Sequence, residues 1–451
     1  MKNKLRWMVA GLAVVAAGVS ALPGQQTSDI FGKIVKGERP AIAIPDLRGT
    51  GAAQGLMGTF NEVLFREVQN AGVFKMVPKS FYPLQVPQRP QDFQPGQRRA
   101  NGLSLADWSG PPVSANYLAF GYTAEQNGQL VLFGYLYNVN QPDTTNAQVV
   151  GKLYFGTLDE AGARKVAQDF AADILSQFGA TSLVGSKIYF VSTRTGNKEI
   201  WAMDYDGSNQ KQLTRYNSIT TMPNVSPDGT KIAFTTFARG TPSIMIHSLE
   251  TNGRLPFYNQ RASMNATPTF TPDGTHILFS STLTGTAQLY MANIDGTNLR
   301  RISDVRAIEV EPKVNPRTGA EVVFVSGRSG PQQIYKMSID GADVERLTTG
   351  EGEASNPAWH PDGVHIAFAW TRGFEPGNWN IFIMNVATRE LVQLTHGRGR
   401  NENPTWSPDG MHLAFSSNRS GSTQIWTMLA DGTQARQLTS QGQNLMPVWS
   451  K

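Results

Sequence analysis

Histidine is the residue type in this chain best suited to bind a metal or transfer protons. Three of the six histidines occupy one position of a repeated pattern in the C-terminal part of the chain: His276, His365 and His412. Other copies of the pattern carry at that position Lys187, Lys231 and Glu321. Because the position accepts His, Lys or Glu, it has the character of a polar strand start and not of a ligand set. We therefore predict neither a metal centre nor a cofactor.

Aspartates recur in the same pattern, and carboxylates can serve as general acids or bases. Each of them lies within a Pro-Asp-Gly tripeptide; they are Asp228, Asp273, Asp362 and Asp409. Pro-Asp-Gly favours a tight turn, so we expect these carboxylates to be structural. The sequence also contains no Gly-x-Ser-x-Gly, His-Glu-x-x-His, Walker or EF-hand motif. These patterns predict a protein that is not an enzyme.

The pattern that contains these residues recurs about every 45 residues. Well-preserved copies are Met222–Gly229, Asn356–Gly363 and Asn403–Gly410. A strand ending in Phe follows each turn, and six such strands end at Phe190, Phe234, Phe279, Phe324, Phe368 and Phe415. Two further strand-like segments complete each unit, separated by turns rich in Gly, Asp and Asn. A self-similar unit of four strands is typical of a β-propeller blade, so we predict six blades over residues 183–451.

The two ends of the repeat predict how the ring closes. A Pro-led segment precedes the turn in each unit, and the six copies contain Pro223, Pro268, Pro312, Pro357, Pro404 and Pro447. The first Phe strand, Lys187–Phe190, has no such segment before it, whereas Met446–Ser450 has no Phe strand after it. We predict that this C-terminal segment is the innermost strand of the first blade, which leaves no unpaired sheet edge.

The N-terminus has the pattern of an export signal over residues 1–21. Three basic residues precede an apolar stretch from Trp7 to Val19, and small residues end at Ala21. Cleavage there would change the formal net charge from +5 to +2, so charge gives no reason to expect a nucleic-acid partner. The chain has no Cys, which excludes disulfides and thiolate metal sites. We expect a monomeric periplasmic protein that is not inserted in a membrane after cleavage.

Residues 22–180 are long enough for a separate core and predict a small α/β domain with a mixed sheet. Its predicted strands are Pro40–Leu47, Val73–Val77, Tyr117–Ala124, Leu130–Val139 and Val149–Thr157. One helix is predicted between the first two strands, and another over Leu158–Phe178. A stretch rich in Pro and Gln, Pro83–Arg99, is interpreted as a surface loop. Ahead of the first strand, Ile30, Phe31, Ile34 and Val35 form an apolar segment that either packs on its own domain or docks elsewhere.

An export signal, a small α/β domain and six blades closed by a terminal Pro-x-Trp-Ser occur in this order in the TolB family, which the chain resembles over nearly its whole length. The first-blade turn Asp204–Gln210 is also close to the family's sequence. TolB proteins are non-enzymatic periplasmic components of the Tol-Pal system of Gram-negative bacteria. The resemblance therefore implies an adaptor that helps maintain outer-membrane integrity and supports cell division.

The resemblance also implies two regions that bind partners. The propeller mouth, formed by loops leading into the innermost strands, would bind a Pal-like peptidoglycan-associated lipoprotein. Its candidate residues are Met264, Asn265, Glu311, Asn356, Arg398 and Asn403. Glu311 belongs to a Glu-Pro that the family places at this mouth. The apolar segment containing Ile30, Phe31, Ile34 and Val35 would bind a TolA-like inner-membrane protein.

Two other classes of protein stay open at this point. A propeller-containing hydrolase, either a peptidase or a glycosidase, should have convergent ionisable side chains with strongly shifted pKa values in the channel. A ligand-binding sensor propeller is the other alternative. An adaptor should instead present a polar mouth without reactive groups.

Overall fold

The computed structural model describes residues 39–93, 102–372, 377–397 and 399–451. Three sequence predictions lie outside the described residues: the export signal 1–21, the apolar segment Ile30–Val35 and the mouth residue Arg398. Among the described residues, no helix combines the length and the apolar character that crossing a bilayer requires. The compact unit that begins at Glu38 contains an α/β domain and a six-bladed β-propeller, which confirms the predicted fold class.

The α/β domain is built on a mixed sheet of six strands: β1 (Ala41–Ala43), β2 (Arg48–Gly49), β3 (Lys75–Met76), β4 (Tyr117–Gln126), β5 (Gln129–Asn138) and β6 (Gln148–Thr157). The strand order is β3-β1-β4-β5-β6, with β2 also paired to β4. β1 is parallel to β3 and β4, whereas β4, β5 and β6 are antiparallel. The α-helices are α1 (Met57–Asn70), α2 (Leu105–Ser109), α3 (Thr144–Ala147) and α4 (Glu160–Ser176). Short 3-10 helices span Gly51–Leu56, Lys79–Phe81 and Pro90–Asp92.

The helices α1 and α4 pack on one face of this sheet around Phe60 and Phe170, which are fully buried. Helix α4 begins where the Asp159 carboxylate accepts a hydrogen bond of 2.7 Å from the backbone N–H of Gly162. Beyond the helix, Gly179 adopts a φ of +71°, a conformation that glycine tolerates and that turns the chain away. The apolar spacing read from the sequence is therefore that of the buried helix face.

Residues of the Pro- and Gln-rich stretch help to cover the opposite face of the sheet. Phe93 lies at its described end and is buried against Phe120 and Tyr137, with its ring stacked 5.6 Å from that of Tyr137. The indole Nε1 of Trp108 donates a hydrogen bond of 2.9 Å to the carbonyl of Gly102. The described part of this stretch thus supplies an aromatic side chain to a second core, which its composition did not indicate.

Six four-stranded antiparallel sheets form the blades of the propeller. The innermost strands are β10 (Thr220–Val225), β14 (Asn265–Phe270), β18 (Glu309–Val314), β22 (Ala354–Trp359), β26 (Asn401–Trp406) and β30 (Asn444–Ser450). The second strands are β7 (Lys187–Thr195), β11 (Lys231–Thr236), β15 (His276–Ser281), β19 (Glu321–Ser326), β23 (His365–Trp370) and β27 (His412–Ser417). The third strands are β8 (Asn197–Asp204), β12 (Ser243–Ser248), β16 (Gln288–Asn293), β20 (Gln333–Ser338), β24 (Asn380–Asn385) and β28 (Gln424–Leu429). The outer strands are β9 (Lys211–Gln212), β13 (Arg254–Leu255), β17 (Arg300–Arg301), β21 (Glu345–Arg346), β25 (Leu391–Gln393) and β29 (Arg436–Gln437).

The repeated residues have structural roles in every blade. The six phenylalanines of the second strands are at most 2% exposed, and all but Phe415 belong to the hydrophobic cores of the propeller. The four turn aspartates each accept a backbone N–H from two residues further on, at 2.7–3.1 Å. Such bonds stabilise tight turns. The prediction that these carboxylates are structural is therefore confirmed.

The ring is closed by its own C-terminus, as predicted. Strand β30 pairs with β7, so the first blade consists of β30, β7, β8 and β9, and blades two to six follow in chain order. Trp449 on β30 is only 7% exposed, and its indole Nε1 donates a hydrogen bond of 3.0 Å to the hydroxyl of Ser186. The closing strand is thus fixed both by backbone pairing and by a buried aromatic side chain.

The α/β domain contacts one end of the ring, which we call the turn face because the Pro-Asp-Gly turns lie there. Arg39 forms an ion pair with Asp431, and Arg66 lies 3.6 Å from Asp206. Gly72, just beyond α1, packs so closely on Leu429 that a Cβ at this position would lie 2.5 Å from the leucine side chain. The opposite end of the ring, which we call the mouth face, carries the loops that lead into the innermost strands.

His412 connects the two domains through an ionisable group. Its Nε2 lies 2.6 Å from the carbonyl oxygen of Asn70 at the end of α1, and its Nδ1 lies 3.3 Å from the Asp409 carboxylate. Both neighbours only accept hydrogen bonds, so the doubly protonated ring satisfies both. Burial alone would lower the pKa of His412, but the Asp409 carboxylate and the Asn70 carbonyl outweigh burial and the Arg436 charge and raise it. Burial would raise the pKa of Asp409, but His412 and Ser407 hold it below its ordinary value.

Deleting the last eight residues, which comprise β30 and Lys451, should lower the free energy of unfolding by several kcal/mol. The deletion removes backbone hydrogen bonds worth about 0.5–1.5 kcal/mol each. It also removes buried Trp449, and truncating such a residue costs about 3–5 kcal/mol. Denaturant unfolding measures the change, and deletion of Lys451 alone is the control with little expected effect. An unchanged unfolding midpoint for the longer deletion would refute closure by the C-terminus.

Replacing His412 by Gln should destabilise the protein in a pH-dependent way. Because the folded pKa of His412 is raised above 6.5, its contribution is complete below that pH and is lost as pH rises through the folded pKa. Because the pKa of Asp409 is lowered from 3.8, its contribution is present above that value and is lost in stronger acid. The stability difference between wild type and His412→Gln should therefore be largest between these limits, as measured by urea unfolding over a pH series.

His276→Gln is the matched control for this prediction, because His276 occupies the same repeat position but its ring bonds to Thr275 of its own turn. Its effect on stability should not follow the pH profile expected of His412. If wild type and His412→Gln lose stability in parallel from mildly acidic to alkaline pH, His412 does not stabilise the domain contact through its charge.

Candidate binding site at the mouth of the central channel

The innermost strand of every blade contains a β-bulge at the residue that precedes its proline. These six residues are Met222, Thr267, Glu311, Asn356, Asn403 and Met446, and their φ values lie between +53° and +56°. At each of these residues the register with the second strand shifts, so that two residues of the innermost strand face one residue of the second strand. Proline follows and has no N–H to donate to the ladder. All six residues line the central channel, and we call them the polar ring.

Hydrogen bonds join neighbouring members of the polar ring. The Glu311 carboxylate accepts a bond of 2.8 Å from the backbone N–H of Asn356 and one of 3.2 Å from its side-chain amide. The side-chain oxygen of Asn356 accepts the backbone N–H of Asn403 at 3.3 Å. The hydroxyl of Ser416 in turn accepts the backbone N–H of Met446 at 3.0 Å. Side chains thus satisfy backbone donors that the bulges leave unpaired, and they connect four blades, the fourth, fifth, sixth and first.

Glu311 and Lys313 are the charged residues of the fourth blade that line the channel. Burial raises the pKa of Glu311. The N–H donors of Asn356 and the charge of Lys313 oppose this rise, whereas the charge of Glu402 adds to it. Burial lowers the pKa of Lys313, opposed by the charge of Glu311. Glu402 is itself held by a two-pronged ion pair with Arg400, in which both bonds measure 2.6 Å.

The polar ring and the strand residues beyond it line a cavity of about 560 Å³, which we call the chamber. Its lining includes prolines of the repeat and Trp359, Trp406 and Trp449. The Nε1 of Trp359 donates to the carbonyl of Lys313 at 3.0 Å, and the Nε1 of Trp406 donates to the carbonyl of Ala358 at 3.2 Å. These bonds between neighbouring blades fix the indoles, so the chamber has rigid, mostly apolar walls.

The structure brings together only some of the predicted mouth residues. Glu311, Asn356 and Asn403 form one hydrogen-bonded group in the polar ring. Met264 is half-buried in the loop before β14, where its backbone N–H bonds to the hydroxyl of Thr282 at 2.9 Å. Asn265 is 2% exposed, and its amide donates to the carbonyl of Gln260 at 2.9 Å, so its side chain supports the loop instead of facing a partner.

Sequence reasoning missed an apolar part of the mouth face. Four large side chains are exposed on the loops of the second, third and fourth blades, and we call them the apolar arc: Ile219, Phe237, Leu283 and Ile308. They are 36–56% exposed and lie next to the strand ends that lead into the channel. It also missed Lys313, although comparing the residue two positions after the bulge in each blade would have singled out this charge.

No group of His, Cys, Asp or Glu side chains in the described part of the chain is arranged to hold a metal ion. His276, His365 and His412 lie at the starts of separate second strands. They are hydrogen-bonded locally or to the α/β domain. The fold and this site define a six-bladed β-propeller whose channel mouth is lined by a hydrogen-bonded group of polar side chains.

The model of the TolB beta propeller domain matches residues 177–373 and 350–451 of this chain. The match extends over more than half of the sequence. The chain therefore belongs to the TolB β-propeller family, which confirms the resemblance found in the sequence.

Individual proteins that are similar in sequence to this chain are also named TolB. The chain is 36% identical over 140 residues to a protein TolB homolog of Chlorobium chlorochromatii, covering 31% of this chain and 30% of that one. It is 37% identical over 135 residues to the Tol-Pal system protein TolB of Geobacter metallireducens, covering 30% of each. The chain thus spans about a third of the length of these curated relatives. Their names are not those of enzymes, in agreement with the prediction of a non-enzymatic protein.

A solved structure supports the architecture over a greater length. The crystal structure of TolB from Acinetobacter baumannii matches with a TM-score of 0.73 at 20% identity, covering 92% of this chain and 97% of that one. Similarity at this identity shows a shared fold. The α/β domain and the propeller therefore occur together in a known structure.

Replacing Glu311 by Gln should remove a pH-dependent loss of stability. Because burial raises the folded pKa of Glu311 above 4.5, the contribution of this residue to stability is fully present below that pH and is lost as pH rises through the folded pKa. Gln does not titrate, yet its side-chain oxygen can still accept the N–H of Asn356. Denaturant unfolding should show equal behaviour in acid and a relative gain for Glu311→Gln near neutral pH. A constant difference across this range would contradict the assignment.

Proposed function

We propose that this protein is a non-enzymatic periplasmic adaptor of the Tol-Pal system, acting in outer-membrane integrity and cell division. Its propeller mouth binds a Pal-like peptidoglycan-associated lipoprotein, and its N-terminal segment binds a TolA-like inner-membrane protein. Family membership and the names of the relatives support the assignment to this system. The observation that carries the docking site is the hydrogen-bonded group of Glu311, Asn356 and Asn403 beside the apolar arc.

The mouth is suited to binding because its polar groups are fixed before a partner arrives. Glu311 and Asn356 are held by bonds between blades, so little side-chain entropy is lost on association. The apolar arc offers exposed hydrophobic surface next to this polar group, the combination found at protein interfaces. A rigid rim with a few polar anchors recognises a partner by shape and hydrogen bonding.

The geometry favours an adaptor over a hydrolase. Among the described residues, the charged residues that line the chamber are Glu311 and Lys313 of the fourth blade and the exposed Lys451, which follows β30. The carboxylate of Glu311 is hydrogen-bonded to Asn356, not to a Ser or Thr hydroxyl that it could activate. Its raised pKa follows from burial in the channel.

In this proposal the chain consists of an export signal, an α/β domain and a propeller. An export signal over residues 1–21 directs the protein to the periplasm, and residues 22–180 and 183–451 form the α/β domain and the propeller. The segment with Ile30, Phe31, Ile34 and Val35 supplies the TolA-like contact, and Arg398 belongs to the mouth. The mature protein is a monomer that requires no cofactor.

Glu311→Arg should weaken capture of the OmpA-like domain of a Pal-like lipoprotein by at least about tenfold, which is about 1.4 kcal/mol. The substitution reverses a charge within the polar ring and breaks the bonds to Asn356. Pull-down and calorimetry with the purified mature protein measure the loss. Glu250→Arg is the matched control, because Glu250 is exposed on a turn of the opposite, turn face.

A second substitution separates binding from folding. Ile308→Ser changes an exposed residue of the apolar arc, so it should weaken capture while leaving the melting temperature unchanged. If Glu311→Arg and Ile308→Ser both capture the lipoprotein domain as well as Glu250→Arg does, the mouth is not the docking site.

A further inference from the structure

The fourth blade differs from the other five in the charge that it places in the channel. Two positions after the bulge it carries Lys313, where the other blades carry Asn224, Thr269, Ala358, Thr405 and Val448. At the bulge itself it carries Glu311, where the other blades carry only uncharged residues. Five blades form the same strand without either charge, so the propeller fold does not require them.

Lys313 interacts with the charge of Glu311, but it makes no ion pair at contact distance among the residues that the structure describes. Its carbonyl accepts the Trp359 indole N–H, but its Nζ forms neither a hydrogen bond nor an ion pair with a described residue. Three other lysines of the propeller form ion pairs, namely Lys187, Lys231 and Lys336. Burial lowers the pKa of Lys313, and the charge of Glu311 opposes this shift. Ionisable groups with a perturbed pKa in a cleft occur preferentially at functional sites.

The chamber has the size and walls of a site for a small chemical group. Its volume of about 560 Å³ lies within the range of about 300–1,000 Å³ that is usual for ligand pockets. Prolines and tryptophans contribute to its lining together with the exposed Lys451, and the half-buried Lys313 supplies an ammonium group within it. A carboxylate is the natural partner for this ammonium group.

Glu311 restricts which carboxylates fit. It lies two residues nearer the mouth than Lys313, and its negative charge disfavours a ligand with a second negative charge at that level. A carboxylate can accept about four hydrogen bonds, and Asn356 provides two donors, its backbone N–H and its side-chain amide. The remaining lone pairs can accept an N–H of the ligand. A group that joins a carboxylate to a nearby N–H, as an amino acid or a C-terminal peptide residue does, matches both charges.

We propose that the chamber is a binding site for a carboxylate joined to an N–H donor, with Lys313 binding the carboxylate and Glu311 accepting the N–H. This inference goes beyond the docking function proposed above, because it assigns a ligand chemistry to the space beneath the mouth. The group can belong to a free amino acid or to the C-terminal residue of a peptide.

The probes are the dipeptide glycyl-leucine, its C-terminal amide and free leucine, titrated into the full-length mature protein. Trp359 and Trp406 line the chamber, so tryptophan fluorescence reports binding, and calorimetry measures the affinity. We expect the dipeptide to bind at least about tenfold more tightly than its amide. Lys313→Thr, which copies Thr269 and Thr405, should remove the same preference.

Two controls keep the result independent of folding. Lys211→Thr changes an exposed lysine on the outer strand of the first blade and should leave the affinity unchanged. Lys313→Asn copies Asn224 and serves as a second test if Lys313→Thr lowers the melting temperature. Saturable binding of leucine identifies a free amino acid as sufficient, whereas binding of the dipeptide alone identifies a peptide C-terminus.

The inference is overturned if the amide binds as well as the dipeptide, if neither Lys313 variant changes the affinity, or if neither the dipeptide nor leucine binds saturably. Its failure is distinct from failure of the docking proposal. Loss of lipoprotein capture in Glu311→Arg, with no carboxylate binding in wild type, leaves the docking site intact and removes the chamber site. Ligand binding that depends on Lys313, without any lipoprotein capture, would support the chamber site and contradict the docking site.

Discussion

Closure of the ring by β30 is the constraint on which the rest of the propeller depends. A blade packs only against its neighbours, so six blades form a rigid channel only when the first and last are joined. The pairing of β30 with β7 joins them through backbone hydrogen bonds, and Trp449 fills the core of the joint. The first blade is therefore complete only when β30 is paired with β7.

Within the closed ring, the bulge before each proline determines what faces the channel. The bulge places one side chain per blade in the polar ring and leaves backbone donors that neighbouring side chains must satisfy. Asn356 serves both purposes, since it donates to Glu311 and accepts from Asn403. The same bonds that align the blades therefore fix the chemistry of the mouth. In the proposed docking site, the residues that align the blades are therefore also those that would contact a partner.

The α/β domain uses the other end of the ring, and its contact is largely polar. Arg39, Arg66 and the carbonyl of Asn70 meet Asp431, Asp206 and His412, so charge contributes much of the specificity of this contact. His412 also lies 6.1 Å from the ring of Trp449. His412 therefore contacts the end of α1 and also lies beside the strand that closes the propeller, so the domain contact and the ring closure are adjacent.

The sequence by itself determined the number of blades, the closing strand, the turn aspartates and the α/β character of the first domain, because these follow from repeats and from local hydrophobic spacing. It could not distinguish His412 from His276 and His365, which occupy the same repeat position. Only the tertiary structure decided that His412 meets Asn70, 342 residues away, and that Asn265 is buried while Lys313 lines the chamber. A repeat fixes local conformation, whereas the partner of each side chain depends on which distant segments the fold places beside it.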